Sequence, residues 1–311
     1  MRTVRDYQYV SDEDRGASAA IGNFDGVHLG HQAVIDLARD KAREIGAPSG
    51  IVTFEPHPRE FFAPEAPPFR LMNAEARAHR LERLGIERLY ELTFHHDLSR
   101  LTPRDFAEAV LCEGLGLRHA VVGRDFRFGR DRAGSAADLA RFGEEMGFGV
   151  TIAPLLETGG VEVSSTAIRR ALTEGRPENA TRMLGHLHRI EGEVIRGDQR
   201  GRDLGYPTAN LSIAGLHTPK LGVYAVRITV LTGPNAGEYK GVAALGVRPM
   251  FGTGNAPNLE SHLFDFKGDL YGQHLSVALV AYIRPEEKFD SLDALITQMD
   301  ADSARAREIL A

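Results

Sequence analysis

The stretch Ser18-Ala19-Ala20-Ile21-Gly22-Asn23-Phe24-Asp25-Gly26-Val27-His28-Leu29-Gly30-His31 runs from an apolar strand through a glycine-bearing turn to a helix start. Ser18 to Ile21 suits a short buried strand, and Val34, Ile35 and Ala38 recur at helical spacing beyond the turn. A helix start offers unpaired backbone N–H groups and the positive end of the helix dipole, and glycines allow close backbone approach to a phosphate. His28 and His31 are three residues apart, which places both imidazoles on one helix face within reach of one anion. The segment therefore reads as strand, turn and helix built around nucleotide phosphates.

Two plainer readings compete. The histidines could form a zinc pair or lie satisfied at the surface, but a zinc site wants further Cys, His or carboxylate ligands, and little beyond Asp25 is in reach. The phosphate loop Gly-x-x-x-x-Gly-Lys-Ser/Thr is absent from the chain, and Gly22, Gly26 and Gly30 lack the dinucleotide-fold spacing.

A length of 311 residues allows about two ordinary domains. The formal charge of −6 argues against a nucleic-acid footprint, which calls for a clustered basic face. There is no run of about 18 apolar residues that would cross a membrane, and the start lacks a signal-like apolar core. The expectation is a cytoplasmic protein acting on small molecules. Its single cysteine, Cys112, sits among Val110, Leu111 and Leu115 and reads as a reduced, buried thiol.

From residue 17 to about 155, strand candidates at Ile51–Phe54, Leu89–Thr93, Ala120–Gly123 and Val150–Ala153 alternate with helical patterns. One helix begins at Thr102-Pro103, a cap followed by proline at the first helical position, and carries Phe106, Val110 and Leu111 on one side. This alternation predicts an α/β domain with a parallel sheet wrapped on both faces, its ligands at the carboxyl ends of strands. The His pair, Glu55-Pro56-His57-Pro58 and the loop bearing Asp125 all follow strands. Past residue 160 come two short helices, about Ser165 onward and up to Gly185, then strands without intervening helices at 190–195, 222–230, 239–245, 259–266 and 275–283. That half predicts a mainly β antiparallel barrel or sandwich, closed by a helix striped with Leu292, Leu295, Ile296 and Met299. The boundary falls near residue 185.

Three further motifs accompany the His pair: Gly123-Arg124-Asp125-Phe126-Arg127-Phe128-Gly129, Val163-Ser164-Ser165-Thr166-Ala167-Ile168-Arg169 and Gly205-Tyr206-Pro207-Thr208-Ala209-Asn210. With them the chain resembles the His-x-Gly-His nucleotidyltransferases and, more narrowly, the bacterial bifunctional riboflavin kinase/FAD synthetase family. The resemblance implies a Rossmann-like FMN adenylyltransferase domain over residues 1–185 and a riboflavin kinase barrel over 186–311, using ATP, riboflavin, FMN and Mg²⁺. It puts His28 and His31 on the triphosphate, with Gly22, Asn23, Phe24 and Gly26 cradling the nucleotide and Ser164, Ser165, Thr166 and Arg169 as a second phosphate site. Asp125, Phe126 and Phe128 would receive a flavin ring, and His57 would add a phosphate contact.

In the second half, Gly197, Gly201 and Gly205 recur every four residues among charged neighbours, as suits a phosphate-covering loop. Thr208 and Asn210 correspond to the family's Mg²⁺ and ATP ligands, Glu260 to its catalytic glutamate, and Arg284 and Glu286 to flavin-site residues. One departure stands out. Gly246-Val247-Arg248-Pro249-Met250-Phe251 carries a thioether at Met250 where the family commonly has threonine. Two other functional readings remain open: one active half beside a flavin-binding or assembly half, and a flavin-sequestering protein. Phosphate signatures in both halves, together with Glu260, argue against the last.

Overall fold

The computed structural model describes residues 1–154, 157–158, 161–196, 205–247 and 257–311. By compactness the chain divides into one unit of Met1–Pro67 with Arg77–Val163 and a second of Pro68–Ala76 with Ser164–Ala311.

The first unit holds a six-stranded parallel sheet of β1 (Arg2–Val4), β2 (Ser18–Ile21), β3 (Ser49–Glu55), β4 (Arg88–Thr93), β5 (His119–Gly123) and β6 (Gly149–Ala153), in the order β1-β4-β3-β2-β5-β6. All four residues of β2 are buried, as expected of a central parallel strand covered on both faces. The chain winds outward from β2 through β3 to β4 and then returns to place β5 on the other side of β2. The carboxyl ends of β2 and β5 thus form the switch point at which such sheets bind ligands. Helix α1 (Leu29–Ile45) follows β2 directly, capped by His28 at its start and by left-handed Gly46 at its end.

Short helices α2 (Pro58–Phe62), α3 (Ala74–Arg83) and α4 (His96–Arg100) follow. At Thr102 the expected cap is present as a capping box with Asp105, opening α5 (Pro103–Asp105). The chain then continues as a π-helix over Phe106–Gly114, which buries Phe106, Val110 and Leu111. Cys112, expected to be buried, is only half-buried: it lies at the edge of this apolar stripe, its thiol 3.7 Å from the Met146 carbonyl. Helix α6 (Ala136–Met146) leads into β6.

In the second unit, α7 (Ser165–Thr173) and α8 (Pro177–Leu184) precede six strands: β7 (His188–Glu193), β8 (Ala209–Ser212), β9 (Gly222–Val230), β10 (Gly237–Val247), β11 (Pro257–Leu263) and β12 (His274–Arg284). Their order is β7-β12-β9-β10-β11-β8, antiparallel throughout. A bridge between Ile195 and Asn210 joins the two ends, so of the two predicted forms the near-closed barrel is the one adopted. Its apolar centre includes Leu211, Tyr224, Val226, Leu245, Leu259 and Leu279. The terminal helix α9 (Leu292–Leu310) lies against the outside through Ala306 and Leu310, which pack with Ala225 and Phe264. Its predicted stripe is not the seat of packing. Leu292 is 56% exposed, and the helix is buried instead at Asp302, Ala306 and Leu310.

His188 on β7 is buried, and its pKa is pushed down from 6.5 to about 3 by burial first and then by His186 and His217. Between those values the unfolded chain binds the proton and the folded chain does not, so stability is present above pH 6.5 and is lost as pH falls toward 3. Replacing His188 by leucine should flatten this acid limb, measured as urea midpoint against pH by circular dichroism.

Candidate active sites

In the first unit the residues after β2 form a tight, strained turn. Phe24 and Val27 adopt positive φ of 51° and 42°, costly for an aromatic and for a β-branched residue. Phe24 is buried beneath the turn, edge-to-face with His31 at a centroid separation of 5.3 Å, so it shapes the turn from below. The Gly22 N–H donates to the Val52 carbonyl, which extends the sheet and removes that group from any phosphate cradle.

His28 stands at the helix cap and not on the helix face that the spacing suggests. Its Nδ1 accepts the His31 backbone N–H at 3.2 Å, which leaves the neutral ring's proton on Nε2. The two imidazoles stack with centroids 3.6 Å apart. Gly30 makes room for this arrangement, since a Cβ there would sit 3.2 Å from the His28 ring. Burial, and then the neighbouring His28, hold the His31 pKa well below the usual histidine value. His31 is therefore neutral at pH 7. Its Nδ1 is buried with no hydrogen-bond partner among the described residues.

Sequence reading misses Arg77. This side chain is 1% exposed, and its Nη2 donates to Glu55 and Glu91, each at 2.9 Å, while Nη1 reaches the Asn23 carbonyl at 3.4 Å. Thr53 Oγ1 donates to the same carbonyl at 3.3 Å. Strands β3 and β4 and the turn after β2 are thereby tied to one guanidinium. A polar arginine on a helix gives no sequence signal for this role. His57 caps α2, accepting from the Arg59 N–H at 3.0 Å.

Also missed is a continuous aromatic wall. Phe62, Phe61, Phe94, Phe54, Phe106, Phe128 and Phe126 follow one another with centroid spacings of 5.2 to 6.3 Å. Phe128 is buried in the core and Phe126, half-buried, stacks on it beside exposed Asp125. Of the two predicted rings, Phe126 is the one with a face toward solvent and Phe128 backs it.

In the second unit Ser164 caps α7, accepting from the Ala167 N–H at 3.3 Å, with Ser165 and exposed Thr166 in the first turn. Arg169 donates through Nε to the Phe69 carbonyl at 2.6 Å and lies over the Phe69 ring. On the barrel, register pairs Asn210 of β8 with Glu260 of β11. Leu259, Ser261 and Leu263 are buried toward the core, so Asn258, Glu260 and His262 share the opposite face with Asn210. Asn258 Nδ2 donates to Asn210 Oδ1 at 2.8 Å, and Asn210 Nδ2 turns toward the Thr208 carbonyl at 3.5 Å.

Arg284 is gripped by buried Asp302 of α9 through Nε and Nη2, at 2.9 and 2.8 Å, so its described partners belong to the fold. Glu286 approaches Gly246, where a Cβ would come within 2.3 Å of the carboxylate. Gly205 takes a positive φ of 81°. Gly197, Gly201 and the segment with Met250 lie outside the described residues.

Comparison with known proteins assigns both halves. The FAD synthetase family model matches residues 10–167 and the riboflavin kinase model residues 184–310. The chain belongs to the bifunctional riboflavin kinase/FMN adenylyltransferase family. Among its relatives, the Pseudomonas fluorescens protein of that name is 42% identical over the whole chain and 98% of the relative. The Escherichia coli K12 protein is 37% identical over 99% of the chain and 97% of the relative. A solved structure described as a macrolide-efflux protein from Streptococcus pneumoniae superposes with a TM-score of 0.82 at 31% identity, covering 98% of both chains. Among the described residues, no helix of this chain is long and apolar enough to cross a membrane.

Replacing Arg77 by methionine would leave Glu55 and Glu91 without their shared cation. Breaking a buried pair this way costs about 3–5 kcal/mol, which should appear as a lowered unfolding midpoint by circular dichroism, together with loss of FMN adenylylation.

Proposed function

We infer that the chain makes FMN and then FAD, with each activity in its own half: ATP phosphorylates riboflavin in a kinase domain beyond about residue 185, and a second ATP adenylylates FMN in the domain before it. The observation that carries this reading is the pairing of a histidine-capped helix at a parallel-sheet switch point with an Asn210–Glu260 pair on a barrel face.

In the first reaction the riboflavin 5′-hydroxyl oxygen attacks the γ-phosphorus of ATP and ADP leaves. Glu260 accepts the hydroxyl proton as general base. Thr208 and Asn210 offer oxygen ligands, which would suit Mg²⁺. The Asn210 amide oxygen accepts one hydrogen bond from Asn258 and keeps a second lone pair for a ligand. When bound, the metal neutralises charge on the phosphates. Glu286 beside Gly246 belongs to the flavin end of this site, while Arg284 supports it by anchoring α9.

In the second reaction an FMN phosphate oxygen attacks the α-phosphorus and pyrophosphate leaves. The acceptor is already a nucleophile, so the work is alignment and stabilisation of negative charge. His28 and His31 hydrogen-bond phosphate oxygens at the start of α1. Ser164, Ser165, Thr166 and Arg169 form the second phosphate contact, and Phe126 with Asp125 receives the flavin ring. We place both reactions in the cytoplasm.

The experiment is a time course of riboflavin, ATP and Mg²⁺ with the purified chain, resolved by chromatography. FMN should form first and FAD follow. The double variant His28→Ala/His31→Ala should lower FAD formation by at least about a hundredfold while FMN still accumulates. Conversely, Glu260→Gln should lower riboflavin phosphorylation by about a hundredfold or more, yet still convert supplied FMN to FAD. Undiminished kinase activity in that variant would remove Glu260 from the mechanism.

A further inference from the structure

Strand β11 presents Asn258, Glu260 and His262 on one face, and only the middle residue has been given a chemical role above. The outer two both reach the short segment that carries Thr208 and Asn210. His262 Nδ1 lies 2.9 Å from the Pro207 carbonyl. A carbonyl oxygen only accepts, so this nitrogen carries the proton and donates it. Asn258 Nδ2 donates to Asn210 Oδ1 at 2.8 Å. A third tether stands one residue earlier: Tyr206 packs its ring on His262 with centroids 5.0 Å apart and hydrogen-bonds Asp300 of α9 through its hydroxyl.

Between these tethers the Thr208 hydroxyl is engaged by no described residue, and Asn258 Oδ1 is buried with no hydrogen-bond partner among them. The segment Pro207–Asn210 is thus held from both ends while its ligand-facing hydroxyl is left for something else. Proline at 207 has no N–H of its own, so its carbonyl is the backbone group through which this end of the segment is gripped.

We propose that His262 and Asn258 are positioning residues of the kinase site, fixing the Thr208–Asn210 segment to the strand that carries Glu260. The proposal rests on the kinase reading above and deepens it. The distance between the metal-facing oxygens and the general base is set within a single strand face, at alternate residues, so that one pleat aligns both. The pleat repeats every two residues, and neither partner needs a long or flexible side chain to reach the segment. Partners of this kind, which orient ligands without touching the metal, typically change metal affinity by about 10–100-fold when removed.

The test uses the full chain. His262→Leu removes the donor and keeps apolar bulk, whereas His262→Asn returns an N–H at the same number of bonds from the backbone. Binding of Mg-ADP is measured by calorimetry as a function of Mg²⁺, alongside KM for ATP in riboflavin phosphorylation. Adenylylation of supplied FMN and the circular dichroism melt serve as fold controls.

The expected result for His262→Leu is Mg-ADP binding weakened about tenfold or more, a matching rise in KM for ATP, and unchanged FMN adenylylation, with most of the affinity restored in His262→Asn. Asn258→Leu should raise the Mg²⁺ concentration needed for half-maximal Mg-ADP binding. Wild-type affinity in His262→Leu would overturn the proposal. So would an asparagine variant as weak as the leucine variant, because ring bulk and not the N–H would then be what matters. A wild-type chain that neither binds Mg-ADP nor forms FMN would overturn the kinase assignment itself, and the proposal with it.

Discussion

In β11 the pleat sends Leu259, Ser261 and Leu263 toward the barrel centre and Asn258, Glu260 and His262 to the other face. The period of two is inescapable in a strand, and a slip of one residue would bury the carboxylate and expose the leucines. The apolar core of the barrel therefore fixes which face carries Glu260, because register is set by burial on the opposite face. In the parallel sheet the same constraint acts differently. Both faces are covered, so polar groups gather where strands end: the His28 turn after β2, Glu55 and His57 at the end of β3, and Asp125 after β5.

Buried charge in both units is neutralised locally, and the two cases differ in purpose. Arg77 bonds the turn after β2 and answers to two carboxylates and a carbonyl, so that three chain segments converge on one guanidinium. Arg284 and Asp302 join the end of β12 to α9 on the outside of the barrel. His31 takes another course. Its neighbours offer burial and a second imidazole, and it remains uncharged. The start of α1 thus presents backbone N–H groups beside an uncharged His31, without the cost of a buried cation.

All strands of the sheet except the three-residue edge strand β1, and most of those of the barrel, were legible from apolar runs, and the His pair from its spacing after β2. Strand β8 was not: Ala209–Ser212 is short, follows a proline and carries Asn210, and only pairing with β11 makes it a strand. The stripe at Leu292 misled for a related reason. Helical periodicity shows that a helix forms, but the barrel surface available to α9 selects Asp302, Ala306 and Leu310. Phe128 was read from its motif as a flavin-facing aromatic and is a core residue beneath its loop, as is the Phe24 ring beneath the turn after β2.

By itself the sequence determined most of the elements, their order, and which residue types follow which strand, because these depend on local periodicity and short spacing. Tertiary structure alone decided which groups meet. Arg77 lies 54 residues from Asn23 and Asn258 lies 48 from Asn210. Separations of that length leave no pattern along the chain, since the contacts are created by strand order and register, and these follow from how the apolar faces close on one another.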